Sequence, residues 1–453
     1  MADTESGTEA ETGLGERRLT TREAADRLGV KPETVYAYVS RGQLTSRRTP
    51  GGRGSTFDAG EVEALLRRGR REAAVQSPGH QAPGGTTVHT GITLIDRDRY
   101  YYRGVDATAL ARRHGYEETA EWLWTGRMRP GIRFTAPEAT RAAARRAVSA
   151  LPAHSGPMDG LRVAAIAAAA ADPLRFDLTE VTVLASARAL IATLVDALPY
   201  APGQSEPPRR DPSHAGGNSG TGTGSSSYNN ANEPASPLSI AEQLWARLSP
   251  HRAEPAALRV LQTALVLLID HDLAASTLAV RVAASARAHP YAAVSAGLGA
   301  ADGPLHGAAS GLAHRMLTEA LDRGSAAAVV ADQLRAGGRV PGLGHRIYPA
   351  QDPRAQALFG LLADVPGAAD ALAAAREVEA TAAHRTELHA NVDLALAVLT
   401  VSSGMPTEAG ETMFAVGRVA GWIAHALEEY AERPLRMRPS GQYRGPKPPQ
   451  PVP

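Results

Sequence analysis

The chain has 453 residues and no cysteine, and its 48 basic residues nearly balance 47 acidic ones. This length allows a large buried core and two or three domains, while the lack of cysteine excludes disulfides, thiolate nucleophiles and thiolate metal sites. No window approaches a membrane-length apolar run, and the acidic start does not resemble a secretion signal. We therefore expect a soluble, cytoplasmic protein that does not contact a membrane.

Charge is unevenly distributed at the start of the chain. Residues 1–16 contain five acids and no base, whereas residues 17–71 contain thirteen bases and six acids. The remainder is close to neutral. We expect residues 1–16 to form a disordered acidic tail and the basic segment to meet a polyanion, with a well-solvated surface as the alternative.

Residues 17–71 have the pattern of a small winged helix-turn-helix domain. Thr20 and Glu23 are spaced as a capping box for a first helix, and a second helix is predicted from Pro32 to about Val39. The stretch 47–57 is too rich in Gly and Arg for a helix, so it predicts a wing hairpin.

This arrangement resembles winged helix-turn-helix modules of the excisionase or MerR type. The resemblance implies DNA contact through the second helix and the wing, and a vestigial or protein-binding fold is the alternative. The candidate DNA-binding residues are Lys31, Thr34, Tyr36, Arg41, Arg47, Arg48 and Arg53.

Beyond residue 88 the composition predicts a large domain that is almost entirely α-helical. Long Ala- and Leu-rich segments with helical periodicity follow one another, and the only good strand candidates, Ile92–Ile95 and Tyr100–Tyr102, should form one hairpin. Ser-, Pro- and Gly-rich segments cannot build a core. The predicted organisation is a linker at 72–88, the large domain at 89–444 with a disordered insertion at 202–237, and a Pro-rich tail at 445–453.

Polar clusters interrupt the apolar second half at breaks between helices. They are Asp270-His271-Asp272, Gly303-Pro304-Leu305-His306-Gly307, Gly342-Leu343-Gly344-His345-Arg346 continuing to Asp352-Pro353-Arg354, and Asn391-Val392-Asp393, followed by Arg418 and Arg438. No zinc-protease HExxH pair, phosphate-binding Gly-Lys-Ser/Thr loop or GxSxG elbow occurs. Three histidines, one carboxylate and several arginines suit the enolisation of a carbonyl compound while a polyanionic acid is held. Carbon–carbon bond formation fits that set.

At these residues the chain resembles citrate synthases. The strings DHDLAAST, GPLHG, GLGHRIY with DPRA, NVD, and GRVAGWIAH occur in the order of that family. The resemblance implies a mainly α fold with large and small helical subdomains, here preceded by the small winged domain. It also implies condensation of acetyl-CoA with oxaloacetate and water to give citrate and CoA, with the thioester as co-substrate, no permanently bound cofactor and no metal.

The resemblance assigns roles to four residues. Asp393 is the base that removes a proton from the thioester α-carbon, and His306 stabilises the enol as a neutral donor. We expect a helix start to lower the pKa of His306. His345 hydrogen-bonds the ketone of oxaloacetate and supplies a proton, while His271 orients the same acid. For Asp393, a helix cap is the alternative interpretation.

Further residues match the family's binding groups. Arg354 and Arg418 match its carboxylate clamps, and Arg438 matches an arginine contributed across a homodimer interface, which would make the active site composite. The segment Gly342, Leu343 and Gly344 matches backbone that meets the CoA adenine, where missing side chains would permit close approach. Five other histidines are expected to be structural or exposed: His114, His154, His289, His314 and His425.

Departures from the family pattern leave two alternatives open. Leu268 replaces a usual histidine, and Ala308, Ala309 and Ser310 replace the usual Gly-Ala-Asn, which puts acyl specificity in doubt. Propionyl-CoA differs from acetyl-CoA by one methylene, worth only about 1–3 kcal/mol, so 2-methylcitrate synthesis is one alternative. The other is a DNA-binding regulator whose large domain only senses metabolites, although a sensor would have no use for the base Asp393.

Overall fold

We describe the protein from a computed structural model. It covers residues 18–28, 30, 32–40, 44–48, 55–63, 65, 88–205, 237–303, 306, 309–348, 350–383, 388–437, 444–447 and 449–450. The predicted tail 1–16, almost all of the linker and most of the insertion lie outside these residues. The chain divides into two compact units, residues 1–87 and 88–453.

The smaller unit combines short helices with a three-stranded sheet. Its elements are β1 Arg18–Thr20, α1 Thr21–Leu28, α2 Pro32–Ser40, β2 Ser46–Arg48 and β3 Ser55–Asp58, followed by helical residues 59–63 and 65. The capping box is confirmed, because the Thr20 N–H donates to Glu23 Oε2 at 2.8 Å and the Glu23 N–H donates to Thr20 Oγ1 at 3.3 Å. The wing hairpin is confirmed by the antiparallel pairing of β2 with β3.

Strand β1 was not predicted from the sequence. It pairs antiparallel with β3 and places Leu19 opposite Phe57, so both side chains are buried. A run of three residues is too short to produce an alternating pattern, which is why only the tertiary structure reveals it. The small core that closes over these strands consists of Leu19, Ala24, Ala25, Val35, Leu44, Phe57 and Val62.

The larger unit begins with a small sheet and continues as helices around one hydrophobic core. Its strands are β4 Thr93–Asp96, β5 Arg99–Tyr102 and β6 Val105–Asp106. Its helices are α3 Ala107–Arg113, α4 Tyr116–Thr125, α5 Glu138–Ser149, α6 Pro157–Ala171, α7 Glu180–Ala197, α8 Ile240–Leu248, α9 Pro255–Leu268, α10 Ala275–Ser285, α11 Pro290–Ala301, α12 Ala309–Arg323, α13 Ala326–Arg335, α14 Pro353–Leu362, α15 Ala369–Ala383, α16 Val392–Ser402 and α17 Ala409–Ala431. A 3₁₀ turn, Pro366–Ala368, precedes α15.

The predicted hairpin is present, with a third strand added. Strands β4 and β5 pair antiparallel around Arg97 and Asp98, and β6 pairs with β5. The phenol of the buried Tyr102 lies 3.1 Å from the carbonyl of Val266 and 3.2 Å from that of Asp270. The sheet therefore anchors the end of α9, immediately before the Asp270-His271 cluster.

Helix α17 crosses the centre of the larger unit and contacts the end of α9 through glycine. A Cβ atom on Gly421 would lie 2.0 Å from the carbonyl oxygen of Ile269, and one on Gly417 would lie 3.2 Å from that of Leu265. At position 421 only glycine allows the helix backbone to approach the Ile269 carbonyl so closely, because any other residue would place its Cβ atom against that oxygen. The contact fixes Arg418, which lies between the two glycines, next to the turn that carries His271.

Among the residues described, no single helix is long and apolar enough to span a membrane. One pair of consecutive helices, Pro353–Leu362 and Pro366–Ala383, is long and apolar enough when taken together, but it is bent by 112° at the break between them.

Replacing Gly421 by alanine is expected to destabilise the larger unit. The added methyl group would overlap the Ile269 carbonyl, so α17 or the turn must move, at a cost of about 3 kcal/mol. The midpoint of thermal unfolding measures this. Gly299→Ala is the matched control: Gly299 lies in α11 with no atom within 4 Å of the added methyl, so alanine should stabilise that helix by about 0.5–1 kcal/mol. Equal midpoints for the two variants would contradict the close approach.

Candidate active site

His271, His345 and Tyr348 form a cluster of rings between the end of α9 and the loop before α14. His271 Nε2 lies 2.7 Å from the Tyr348 hydroxyl, and the ring centres of His271 and His345 are 5.1 Å apart. Burial, followed by the charge of Arg354, lowers the pKa of His345 to about 4 and that of His271 well below its ordinary value. Both imidazoles are therefore neutral near pH 7 and can donate a hydrogen bond without carrying charge.

Arg354 is buried at the start of α14 and forms an ion pair with Asp352. Its Nε and Nη2 donate to the two Asp352 carboxylate oxygens at 3.0 and 2.8 Å. Burial opposes ionisation of Asp352, but the charge of Arg354 and its hydrogen bonds outweigh burial and lower the pKa of the carboxyl. The site thus contains two carboxylates, Asp352 and Asp393, whereas the sequence analysis had predicted only Asp393. Asp352 binds two donors of Arg354, the residue that was predicted to hold a substrate carboxylate.

Arg418 differs from Arg354 because no carboxylate pairs with it among the described residues. Its side chain is 1% exposed, its Nε donates to the Leu268 carbonyl at 2.8 Å, and its guanidinium carbon lies 4.5 Å from the centre of the Phe414 ring. Burial lowers its pKa, while the nearby charge of Asp270 acts in the opposite direction. A buried guanidinium of this kind is suited to bind a ligand carboxylate by donating hydrogen bonds to it.

Asp393 stands in the first turn of α16 and does not cap it. The cap is Asn391, whose Oδ1 accepts from the Asp393 N–H at 2.9 Å. Asn391 also donates through Nδ2 to the Gly344 carbonyl at 2.8 Å, so the segment before Asp393 is joined directly to the segment before His345. Burial and, in the opposite direction, the charge of Arg354 act on Asp393, and its pKa rises to about 6. A carboxyl with this pKa suits general-base chemistry near neutral pH.

His306 lies in the turn that precedes α12. Its N–H donates to the Gly303 carbonyl, its Nε2 lies 2.7 Å from Ser276 Oγ, and its ring centre is 5.6 Å from that of Phe414. Its pKa is lowered, as expected, but the causes are burial and then the charge of Arg418. The described part of α12 begins at Ala309, three positions after His306.

The predicted catalytic and oxaloacetate-binding residues that the structure describes are linked partly by ring contacts and partly by the effect of one residue's charge on another. Phe414 touches both His306 and Arg418, and the charge of Arg418 in turn acts on His271. From His271 the contacts continue through His345 and Tyr348 to Arg354, whose charge acts on Asp393. The predicted clamp Arg438 lies outside the described residues.

The glycines of the predicted CoA loop have an internal explanation. Gly342 and Gly344 have φ values of 80° and 78°, and a Cβ on either would meet Leu394 or Leu388 at 2.8 or 2.9 Å. Leu343 forms an isolated bridge with Ala390. The close approach that requires glycine is therefore to neighbouring side chains, and the CoA-binding role stays a prediction.

Three residues in contact with the predicted site were not assigned by the sequence analysis: Ser276, Tyr348 and Phe414. Ser276 and Tyr348 lie within strings that carry the family resemblance, which was the available signal. Phe414 had none, because an aromatic residue in an apolar helix is ordinary core. Of the departures from the family pattern, Leu268 is buried and Ser310 has a buried hydroxyl that lacks a partner among the residues described.

In the smaller unit, the described DNA-binding candidates lie at its surface to different degrees. Tyr36 is 48% exposed, Arg47 is exposed and Thr34 is half-buried. Arg48 lies in β2. Lys31, Arg41 and Arg53 are outside the described residues.

Comparison with known proteins gives the two units separate relatives. The family model described as "Citrate synthase, C-terminal domain" matches residues 83–440, and that described as "Helix-turn-helix domain" matches residues 18–70. "Citrate synthase 2" of Bacillus subtilis is 33% identical over 217 residues, which cover 47% of this chain and 58% of that protein. The chain thus spans little more than half the length of this curated relative.

Solved structures agree in fold. Citrate synthase from Thermotoga maritima is 26% identical with a TM-score of 0.59, covering 82% of this chain and 96% of that one. The ternary complex of carboxymethyl coenzyme A and oxaloacetate with citrate synthase from Thermoplasma acidophilum is 23% identical with a TM-score of 0.61, covering 82% and 97%. The fold, the family model and the order of the motifs lead to one conclusion: the chain belongs to the citrate synthase family and carries a helix-turn-helix domain at residues 18–70.

Proposed function

We propose that the chain condenses acetyl-CoA with oxaloacetate and water to give citrate and CoA. Asp393 removes a proton from the thioester methyl group, His306 donates a hydrogen bond to the enol oxygen, and the enol carbon attacks the ketone of oxaloacetate. His345 hydrogen-bonds that ketone and supplies the proton to the developing alkoxide. Water then hydrolyses the citryl thioester and releases CoA.

The electrostatics of the site carry this proposal. A base with a pKa of about 6 is ionised at neutral pH, yet it is basic enough to take a proton in the transition state. The lowered pKa values of His306 and His345 keep both rings neutral. A neutral imidazole can still stabilise an enolate-like oxygen by donating a hydrogen bond to it.

The acid substrate is held by positive charge and hydrogen-bond donors. Arg418 offers a guanidinium to one carboxylate, and His271 orients the acid. Arg354 contributes charge, although Asp352 occupies two of its donors. Arg438 completes the clamp from a second copy of the chain in a homodimer. Gly342, Leu343 and Gly344 offer backbone to the CoA adenine.

Release of CoA by the purified full chain tests the function. Thiol formation is followed with oxaloacetate and either acetyl-CoA or propionyl-CoA. Faster turnover with acetyl-CoA is expected, and a preference for propionyl-CoA would replace the product by 2-methylcitrate. Absence of turnover with both thioesters, with oxaloacetate still bound, would contradict the enzyme and favour the metabolite sensor.

The rate should depend on pH through Asp393. Since its pKa is about 6, kcat/KM for the thioester is expected to be constant at pH 7–8 and to fall as the pH drops through about 6, where the base becomes protonated. His345, with a pKa of about 4, stays neutral across this range. A rate that is constant from pH 8 to pH 5 would contradict the assignment of the base.

Exposed apolar residues support the homodimer. Leu174, Phe176 and Val181, between α6 and the start of α7, are 63%, 69% and 80% exposed, and Ile166 on α6 is 63% exposed. Four exposed apolar side chains within sixteen residues of sequence favour burial against a second copy. Sedimentation of the full chain should give twice the monomer mass, and Val181→Asp should shift it toward the monomer.

For the smaller unit we propose DNA binding. The helix-turn-helix match supports it, as do the exposed Arg47 on the wing and Tyr36 on α2. Gel shifts with the full chain should weaken as salt rises, because phosphate contacts release counterions. If a folded Arg47→Ala variant binds DNA as tightly as the parent chain at every salt concentration, Arg47 on the wing does not contact DNA.

A further inference from the structure

A row of buried polar side chains lies beside the candidate oxaloacetate pocket and has no part in the proposed mechanism. It consists of Asp270 after α9, His425 on α17 and Arg281 on α10, each at most 1% exposed. His425 Nε2 lies 3.2 Å from Asp270 Oδ1, and His425 Nδ1 lies 2.8 Å from Arg281 Nη1. We call these three residues the inner relay.

The partners of His425 determine where its ring proton lies. A guanidinium nitrogen can only donate, so His425 Nδ1 must accept from Arg281. The ring hydrogen therefore sits on Nε2, which donates to the Asp270 carboxylate. His425 thus links a cation and an anion through a fixed tautomer.

At its outer end the inner relay meets two further carboxylates of α17. Arg281 Nη1 donates to Glu428 at 2.6 Å and its Nε donates to Glu429 at 2.6 Å. Arg436, two residues before the predicted clamp Arg438, donates through Nε to the second oxygen of Glu429 at 2.9 Å. The C-terminal segment is therefore tied to the relay by buried or half-buried ion pairs.

At its inner end the relay meets the oxaloacetate pocket. Thr93 Oγ1 donates to Asp270 Oδ2 at 2.6 Å, so both carboxylate oxygens are held. Although burial raises the pKa of Asp270, His425, Arg418 and Thr93 together lower it, which keeps the carboxyl ionised. Arg418 is held next to this carboxylate, because its Nε donates at 2.8 Å to the carbonyl of Leu268, two residues before Asp270. The Asp270 charge acts on Arg418, and the next residue in the chain is His271.

We propose that the inner relay is a positioning device that fixes Arg418 and His271 for oxaloacetate and couples them, through Glu429, to Arg436. Its residues touch no substrate. They act by holding the Asp270 charge at one place and orientation beside Arg418. This inference rests on the proposed function, because it assigns the pocket beside the relay to oxaloacetate.

Substitutions at His425 separate positioning from mere packing. Glutamine has one amide oxygen to accept from Arg281 and one amide nitrogen to donate to Asp270, whereas phenylalanine fills the space and does neither. With oxaloacetate, His425→Phe should raise KM at least tenfold and His425→Gln less than threefold, while KM for the thioester changes less than twofold in both. Thr93→Val, a milder change at a half-buried site, should raise KM for oxaloacetate about threefold.

The control is His314→Gln, since His314 is a half-buried histidine bound to Thr400 and lies outside the relay. It should leave both KM values unchanged. The relay is overturned if folded His425→Phe and Thr93→Val bind oxaloacetate as the parent chain does, or if both variants raise the two KM values equally. Calorimetric titration with oxaloacetate supplies the affinity even for a chain without turnover, so loss of turnover alone counts against the proposed function and not against the relay.

The tautomer gives a test that does not depend on substrate. In ¹⁵N-labelled full chain at pH 8, the His425 ring signal, assigned by its loss in His425→Gln, should have the shifts of a ring protonated at Nε2. A ring protonated at Nδ1 would overturn the relay.

Discussion

Asp393→Asn is expected to lower kcat about 10²- to 10⁴-fold, the usual contribution of a positioned general base. The amide has nearly the same shape and still follows the Asn391 cap, so α16 should form as before. Affinity for oxaloacetate should be unchanged within a few-fold, because Asp393 acts on the thioester. Steady-state turnover and calorimetry measure the two quantities.

The same variant should be more stable at alkaline pH. The pKa of Asp393 is raised from 3.8 to about 6, so the protonated form favours folding fully below pH 4 and that contribution is lost as the pH rises through 6. Asparagine cannot ionise. The thermal midpoint of Asp393→Asn should therefore exceed that of the parent at pH 8 and match it at pH 4.

For catalysis, an Asp393→Asn variant that keeps more than a tenth of the parent kcat would exclude Asp393 as the base.

Arg418→Lys is expected to raise KM for oxaloacetate about 10- to 100-fold with little change in KM for the thioester. Lysine keeps the charge but loses the two-point geometry, and hydrogen bonds to charged groups contribute about 1.5–3 kcal/mol. The buried position of Arg418 next to Leu268 leaves little room for a hydrated ammonium group to compensate.

The matched control for Arg418→Lys is Arg188→Lys. Arg188 is also bound through its guanidinium, to Glu121 at 2.8 Å through Nε and Nη2, but it lies on α7 outside the candidate site. It should leave both KM values as they are. If Arg418→Lys also leaves KM for oxaloacetate unchanged, the carboxylate must be bound elsewhere.

The fold class could be predicted from the helical periodicity of the sequence. The polar clusters could be located because each of them lies at a boundary between helices. The capping box at Thr20 and Glu23 and the wing hairpin are local patterns, and the structure confirms both. Strand β1 and strand β6 could not be predicted, since they are two or three residues long and exist only through pairing with distant segments.

Within the site, the sequence predicted which residues take part better than it predicted their pKa values and their ion-pair partners. The motifs brought out His306, His345 and Asp393, but not the reason for the low pKa of His306, which depends on burial and on Arg418, more than a hundred residues away in sequence. The pairing of Arg354 with Asp352 was equally invisible, because two charged residues in one turn can face a ligand or each other. Contacts of the inner relay join residues up to 155 positions apart, beyond any local pattern.

The most direct test is a crystal structure of the full chain with carboxymethyl coenzyme A and oxaloacetate. The proposed condensation requires one pocket in which the Asp393 carboxylate and His306 meet the carboxymethyl thioether end, and His345 lies within about 3.2 Å of the oxaloacetate ketone oxygen. Ligands bound together with any of these three side chains in a different pocket would contradict the proposed condensation.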